Sequence, residues 1–103
     1  MVVQEVLNIA KDFSRYPAGR VTTDGPYSGQ KFRKEFLEPV IKAGKKLTIE
    51  LDGTRGYGSS FLEEAFGGLV RVGYPSEKIL SLLTFKTSDD SLTIEIEEYI
   101  KNA

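Results

Sequence analysis

Three observations predict a single-domain α/β fold. Short apolar runs of strand length alternate with segments whose apolar residues recur every three or four positions, the pattern of strands joined by helices. Most of the glycine and proline falls between these segments, where turns are needed. The chain has 103 residues, enough for one core and too few for two.

Taken in order, residues 2–10 mix valine, leucine and isoleucine with polar residues and stop before Lys11-Asp12, which predicts a first strand. Residues 14–29 carry Pro17, Gly19, Asp24-Gly25-Pro26 and Gly29, a density of turn formers that marks a long loop with a small hairpin about Asp24-Gly25. A loop of this length in a small domain is often functional, and it carries Arg15, Arg20 and Asp24. A helix is predicted over 29–43. Phe32, Phe36 and Val40 form one row and Leu37 and Ile41 the next, while Lys31, Arg33, Lys34, Glu35 and Glu38 take the other side. Pro39 cannot donate to the carbonyl of Glu35, so it should kink or divide this helix, and Gly44 should end it.

A second strand follows over 47–52, then the stretch DGTRGYGSSFLEEAFGG. A helix over 61–72 buries Phe61, Leu62, Ala65, Phe66, Leu69 and Val70, with Gly73 placed as its stop. Gly67-Gly68 inside it cost about 1 kcal/mol each relative to alanine, which predicts close packing of this helix on the sheet. Ser76 can cap a short helix carrying Ile79, Leu80 and Leu83, and residues 84–87 read as a short strand. Ser88, Asp89 and Asp90 offer a cap for a last helix in which Leu92, Ile96 and Ile100 stand four apart; its Glu95, Glu97 and Glu98 read as a solvated face.

Composition removes several functions. There is no cysteine and no histidine, which excludes disulfides, thiolate catalysis, zinc–sulfur sites and the usual general base of a serine hydrolase. The net charge of -1, from 14 basic and 15 acidic side chains, calls for neither nucleic acid nor an anionic membrane. No apolar run approaches the roughly 18–20 residues of a membrane span, and the first residues lack the basic-then-apolar order of a signal peptide. A cytoplasmic protein of bacterial type, without a cofactor, is expected.

The serine pair Ser59-Ser60 admits four readings. Ser60-Phe61-Leu62-Glu63 fits a capping box, in which the Ser60 hydroxyl accepts from the Glu63 amide and the Glu63 carboxylate reaches back. A nucleophile is the second reading, but Gly58-Ser59-Ser60-Phe61-Leu62 lacks the last glycine of the nucleophile elbow, and Ser60 would need a lysine as base. The third is an anion or nucleotide site made by Gly53, Gly56, Gly58, Arg55 and a helix N-terminus. Neither phosphate-binding glycine motif is present, and Glu63 and Glu64 would oppose an anion. The fourth is a regulatory switch.

The stretch LTIELDGTRGYGSSFLEEAFGGLVR resembles the central segment of STAS domains, the fold of anti-sigma-factor antagonists, in which a strand ends in an Asp-Ser-Ser-Gly-like turn followed at once by a helix. Together with IAKDFSRYPAGR and DGPYSGQKFRKEFLEPV, it resembles most closely the STAS-like domain family of unknown function. The resemblance implies one STAS-like domain over 1–103, with a small mixed sheet and helices mainly on one face. It implies no catalysis. It makes Ser60, with Ser59 beside it, the phospho-acceptor of a partner ATPase of the histidine-kinase-like class. Arg55, Tyr57, Gly58, Phe61 and Glu64 become the partner-binding residues. Phosphorylation would end that binding. From the residues alone, Phe61 fits the core through its spacing to Ala65 and Leu69, Tyr57 can cover the core edge, and Arg55 can be solvated. Two other classes stay open: a small-molecule sensor using the glycine-rich loop, and an accessory structural subunit in which Ser60 is only a cap.

Overall fold

The first strand is short because Asn8 ends it. β1 (Glu5–Asn8) gives way to a single wide turn over Ile9–Phe13, closed by the Ser14 N–H donating to the Ile9 carbonyl at 2.8 Å. The Asn8 side chain accepts from the Lys11 amide, and the Asn8 amide donates to the Asp12 carboxylate. Both bonds draw the chain out of the sheet sooner than the apolar pattern predicts. The computed structural model describes residues 5–103; the start of the strand predicted over 2–10 lies outside them.

β2 (Leu47–Glu50) pairs with β1, and β3 (Leu83–Lys86) pairs with β2, giving the order β1-β2-β3. The resemblance implies a mixed sheet, but the three described strands are all parallel. The reason is topological: each strand reaches the next through helices, not through a hairpin. Because spatial order follows chain order, crossovers of one hand lay their helices on one face. Leu7, Leu47, Ile49 and Leu83 are buried on that face, and Val6, Thr84 and Lys86 stand exposed on the other.

Helix α1 spans 29–42 in three parts, Gly29–Phe32, Arg33–Leu37 and Glu38–Lys42. Ser28, fully buried, caps it by accepting from the Lys31 amide at 3.2 Å. The middle part is one wide turn, closed by the Glu38 N–H on the Arg33 carbonyl. Pro39 therefore falls in the first turn of the last part, where a missing N–H costs least. The helix is divided there, as predicted. The extra residue also shifts the buried face: Phe32, Leu37 and Ile41 are sealed, while Phe36 and Val40 are only partly covered.

Helix α2 spans 59–71, as Ser59–Leu62, a second wide turn Glu63–Gly67, and Gly68–Arg71. Helices α3 (Ser76–Leu82) and α4 (Asp90–Asn102) complete the chain. Pro75, not Ser76, is the N-cap of α3. Asp89 caps α4 by accepting from the Ser91 amide. Among the described residues no helix is long and apolar enough to cross a membrane. The hairpin expected about Asp24-Gly25 is instead a single tight turn over Thr22–Asp24. The Asp24 carboxylate accepts from the amides of Arg20 and Val21, so the segment coils on itself and pairs with no strand.

Candidate functional site

In a parallel sheet all strand ends of one polarity meet, and ligands of such folds sit beyond the carboxyl ends. Asn8, Glu50 and Lys86 are register partners at that end here. Beyond them lie the loop over 9–28, the loop over 51–58 and the short link over 87–89. The Leu51 amide donates to the Lys86 carbonyl at 2.9 Å, which prolongs the ladder by one bond. Asp52 then ties two of the loops together, accepting from the Thr87 hydroxyl at 3.0 Å and from the Ser88 amide at 3.0 Å. These donors, the Ser88 amide above all, hold its carboxyl below the ordinary range.

Gly53 and Gly56, at φ 105° and 141°, make the turns that only glycine makes at low cost. Tyr57 then turns inward. Its hydroxyl donates to the Leu51 carbonyl at 2.5 Å and its ring stacks on Phe61 at 6.2 Å. Burial pushes its phenol up. Phe61 is fully buried against Phe32 and Phe13, so it anchors the loop and presents no surface to a partner. With both ends of the loop held, Arg55, Gly58, Ser59 and Ser60 are left exposed.

The capping box does not form. The N-cap of α2 is Gly58, with no side-chain cap bond, and Ser59 and Ser60 are the first two helical residues. Ser60 is two positions past the N-cap, so it does not cap the Glu63 amide, which donates within the helix to the carbonyls of Ser59 and Ser60. The two serine hydroxyls thus make no hydrogen bond among the described residues, and the first-turn amides have no side-chain acceptor.

Glu63 and Glu64, read from the sequence as opponents of an anion, are spent on arginines. Glu63 is bridged by Arg20 at 2.5 Å and by Arg71 at 2.6 and 2.9 Å. Glu64 pairs with Arg33 and, at 3.3 Å, with Arg20, which removes it from the predicted partner surface. Arg71 first, then Arg20, holds the Glu63 carboxyl below its ordinary value. Helical spacing puts Arg33 on the polar side of α1, yet it is buried, with Nε on Glu38 at 2.8 Å and Nη1 on the Glu64 carbonyl at 3.1 Å. The signal for this network is Gly67-Gly68. A Cβ at Gly68 would collide with the Arg33 guanidinium, and one at Gly67 would lie 2.5 Å from the Glu63 carboxylate and 3.2 Å from the Tyr99 carbonyl. The glycines make room for charged side chains and for α4, not for the sheet.

A cleft of about 540 Å³ lies beside the loop, lined by Asp52, Thr54, Arg55, Tyr57, Ser88 and Asp89 among others. An anion entering it would meet two aspartates.

A three-stranded parallel sheet whose strands are joined through helices is consistent with the class of STAS-like domains. A family model described as a STAS-like domain of unknown function matches residues 28–93, and the chain belongs to that family. The match runs from the cap of α1 into α4, so it includes the serine loop and the Arg33–Glu64 pair. No curated protein and no solved structure matches the chain.

Proposed function

We propose that this protein is a non-enzymatic regulatory module that binds a partner protein through the 55–60 loop and the start of α2, and that phosphorylation of Ser60 switches the binding off. One observation carries the reading: Ser59 and Ser60 are exposed hydroxyls, without a hydrogen bond among the described residues, on a helix N-terminus whose own carboxylates are already neutralised. A phosphate there adds roughly -1.5 to -2 charge and three acceptor oxygens. It would face the positive end of α2 and amides without a side-chain cap, with Glu63 and Glu64 held by Arg20, Arg33 and Arg71.

The partner, on the family resemblance, is a histidine-kinase-like ATPase that supplies its own ATP. The γ-phosphoryl bond to the β-phosphate oxygen breaks as a bond to the Ser60 Oγ forms; ADP leaves and the hydroxyl proton passes to a base of the partner. A partner surface fitted to neutral serines then meets a charge that it must desolvate without a counter-ion.

The test is the mass of the protein isolated from its host under phosphatase inhibition, with the site mapped, beside partner recovery on wild-type and Ser60→Asp baits. A phosphate on Ser60 and a partner retained only by wild type are expected. Protein unmodified in every growth phase, with equal recovery on both baits, would end the proposal.

A further inference from the structure

The five arginines of the chain divide into two groups. Arg20, Arg33 and Arg71 are each committed to glutamates. Arg15 and Arg55 are exposed and make no ion pair among the described residues, and the fold holds them together. The Arg55 N–H donates to the Arg15 carbonyl at 2.9 Å, joining the early loop to the serine loop. The Arg55 guanidinium sits 6.0 Å from the ring centroid of Tyr16, which is 60% exposed. That contact orients the guanidinium and leaves its edge to solvent. Lys11 and Arg15 line one cleft of about 250 Å³ with Asn8, Ala10, Asp52 and Gly53. Lys11 is likewise exposed and without an ion pair. The neighbouring carboxylates, Asp12, Asp52 and Asp89, accept from donors of their own: Asp12 from the Asn8 amide, Asp52 from Thr87 and Ser88, and Asp89 from Ser91.

Like charges gathered on a bonded pair of loops, with no ion pair of their own among the described residues, are arranged for an external anion. We infer that Lys11, Arg15, Tyr16 and Arg55 form a docking patch for an acidic, carboxylate-bearing segment of a partner protein, an inference that rests on the reading of this chain as an interaction module. Arginine forks pair carboxylates in two-point geometry, and arginine with tyrosine is the composition of interface hot spots. Nucleic acid fits less well. Three cations can neutralise only three phosphates, where backbone binders use roughly 6–10. The patch is near the serines in the chain, since Arg55 lies in the loop that leads into α2 and Ser60 is the second residue of that helix. A phosphate on Ser60 would compete with the partner's carboxylates for Arg55 and loosen the same contact.

The experiment titrates the full chain with a glutamate-rich peptide, and separately with its glutamine counterpart and with oligothymidylate, following amide shifts by NMR. Saturable shifts confined to residues 8–16 and 52–60, weakening as salt shortens the screening length, are expected with the acidic peptide alone. Arg15→Glu/Arg55→Glu should weaken binding at least about tenfold and Arg15→Gln/Arg55→Gln less, with the fold verified by unchanged spectra elsewhere. Lys42→Glu/Lys45→Glu, a reversal of equal size at exposed lysines away from the patch, should leave binding as it is. Shifts scattered over the surface, equal loss in the lysine control, or tighter binding of oligothymidylate at these residues would each overturn the assignment. The two proposals separate cleanly. Peptide binding lost on reversal while Ser60 stays unmodified in the host keeps the patch and removes the switch; a phosphorylated Ser60 with no localised peptide binding does the reverse.

Discussion

On one flank of α2, Glu63 and Glu64 gather Arg20, Arg33 and Arg71 into a network that closes over two glycines. At its N-terminal end, Arg55 and Arg15 stand exposed with no carboxylate partner among the described residues, and the Ser59 and Ser60 hydroxyls with no hydrogen bond among them. The same residue types do opposite work a few residues apart. Charge that is half-buried must be paired, because an unpaired ion away from water costs several kcal/mol. Charge left unpaired at the surface costs little and stays available to a partner. The contrast locates stability in the flank and recognition in the loop, and substitutions can break it from either side.

The largest effect is expected at Gly68 and Arg33. In an open helix Gly→Ala gains about 1 kcal/mol. At Gly68 the added methyl displaces the Arg33 guanidinium, so Gly68→Ala should instead destabilise by about 3 kcal/mol, read by urea unfolding. Arg33→Met, which takes the buried partner from Glu64 and leaves it only the longer contacts to Arg20 and Arg71, should cost a similar amount, a fall in Tm of roughly 15 °C. The double variant should cost much less than the sum, because both changes remove the same pair. Full additivity would show that the glycine and the arginine are independent.

A smaller loss is expected where the loop is tied to the core. Tyr57→Phe removes the bond to the Leu51 carbonyl and should cost about 1 kcal/mol, with amide exchange rising first over 52–58.

Acid should act on the flank. The Glu63 carboxyl is held below its ordinary value of 4.5, so its pairing stabilises the fold fully above that pH and is lost as pH falls through the lower folded value. Stability should therefore decline below about pH 4.5, and Glu63→Gln should flatten that part of the curve after a loss of about 1 kcal/mol at neutral pH. An unchanged acid slope in Glu63→Gln would assign the slope to other carboxylates, Asp52 first among them.

The smallest effects belong to the loop. Ser60→Ala should change stability by less than about 0.5 kcal/mol, where a true N-cap would cost about 1. Gly58→Asn should gain a few tenths of a kcal/mol, because the N-cap has φ -70° and open space around it. A full cap-sized loss in Ser60→Ala would restore the capping box and weaken the case for a free hydroxyl.

Much of the fold is legible in the residues. The apolar periodicity over 29–43 and 61–72 announces α1 and α2 to within about two residues, and β2, α3, β3 and α4 follow from short apolar runs between turn formers. Phe61 is legible as core from its spacing to Ala65 and Leu69. The errors share a cause. Ser60 matches a local motif, but the helix starts earlier, because Gly58 already has cap geometry and Tyr57 and Phe61 pin the turn. Arg33 looks solvated by helical spacing, until a wide turn and a partner helix enclose it. Residue period cannot register an inserted residue in a helix, nor a neighbour that arrives from another segment.

By itself the sequence determines an α/β chain with these helices and strands, because hydrophobic period and turn chemistry are local properties. It also excludes thiol and imidazole chemistry, because those side chains are absent. Tertiary structure alone decides which charges are paired. Arg20 reaches Glu63 from 43 positions away and Arg33 reaches Glu64 from 31, while Arg15 and Arg55 meet only through their backbones. Coulomb attraction and desolvation depend on distance in space and on exposure, and both are set only once the helices have packed on the sheet.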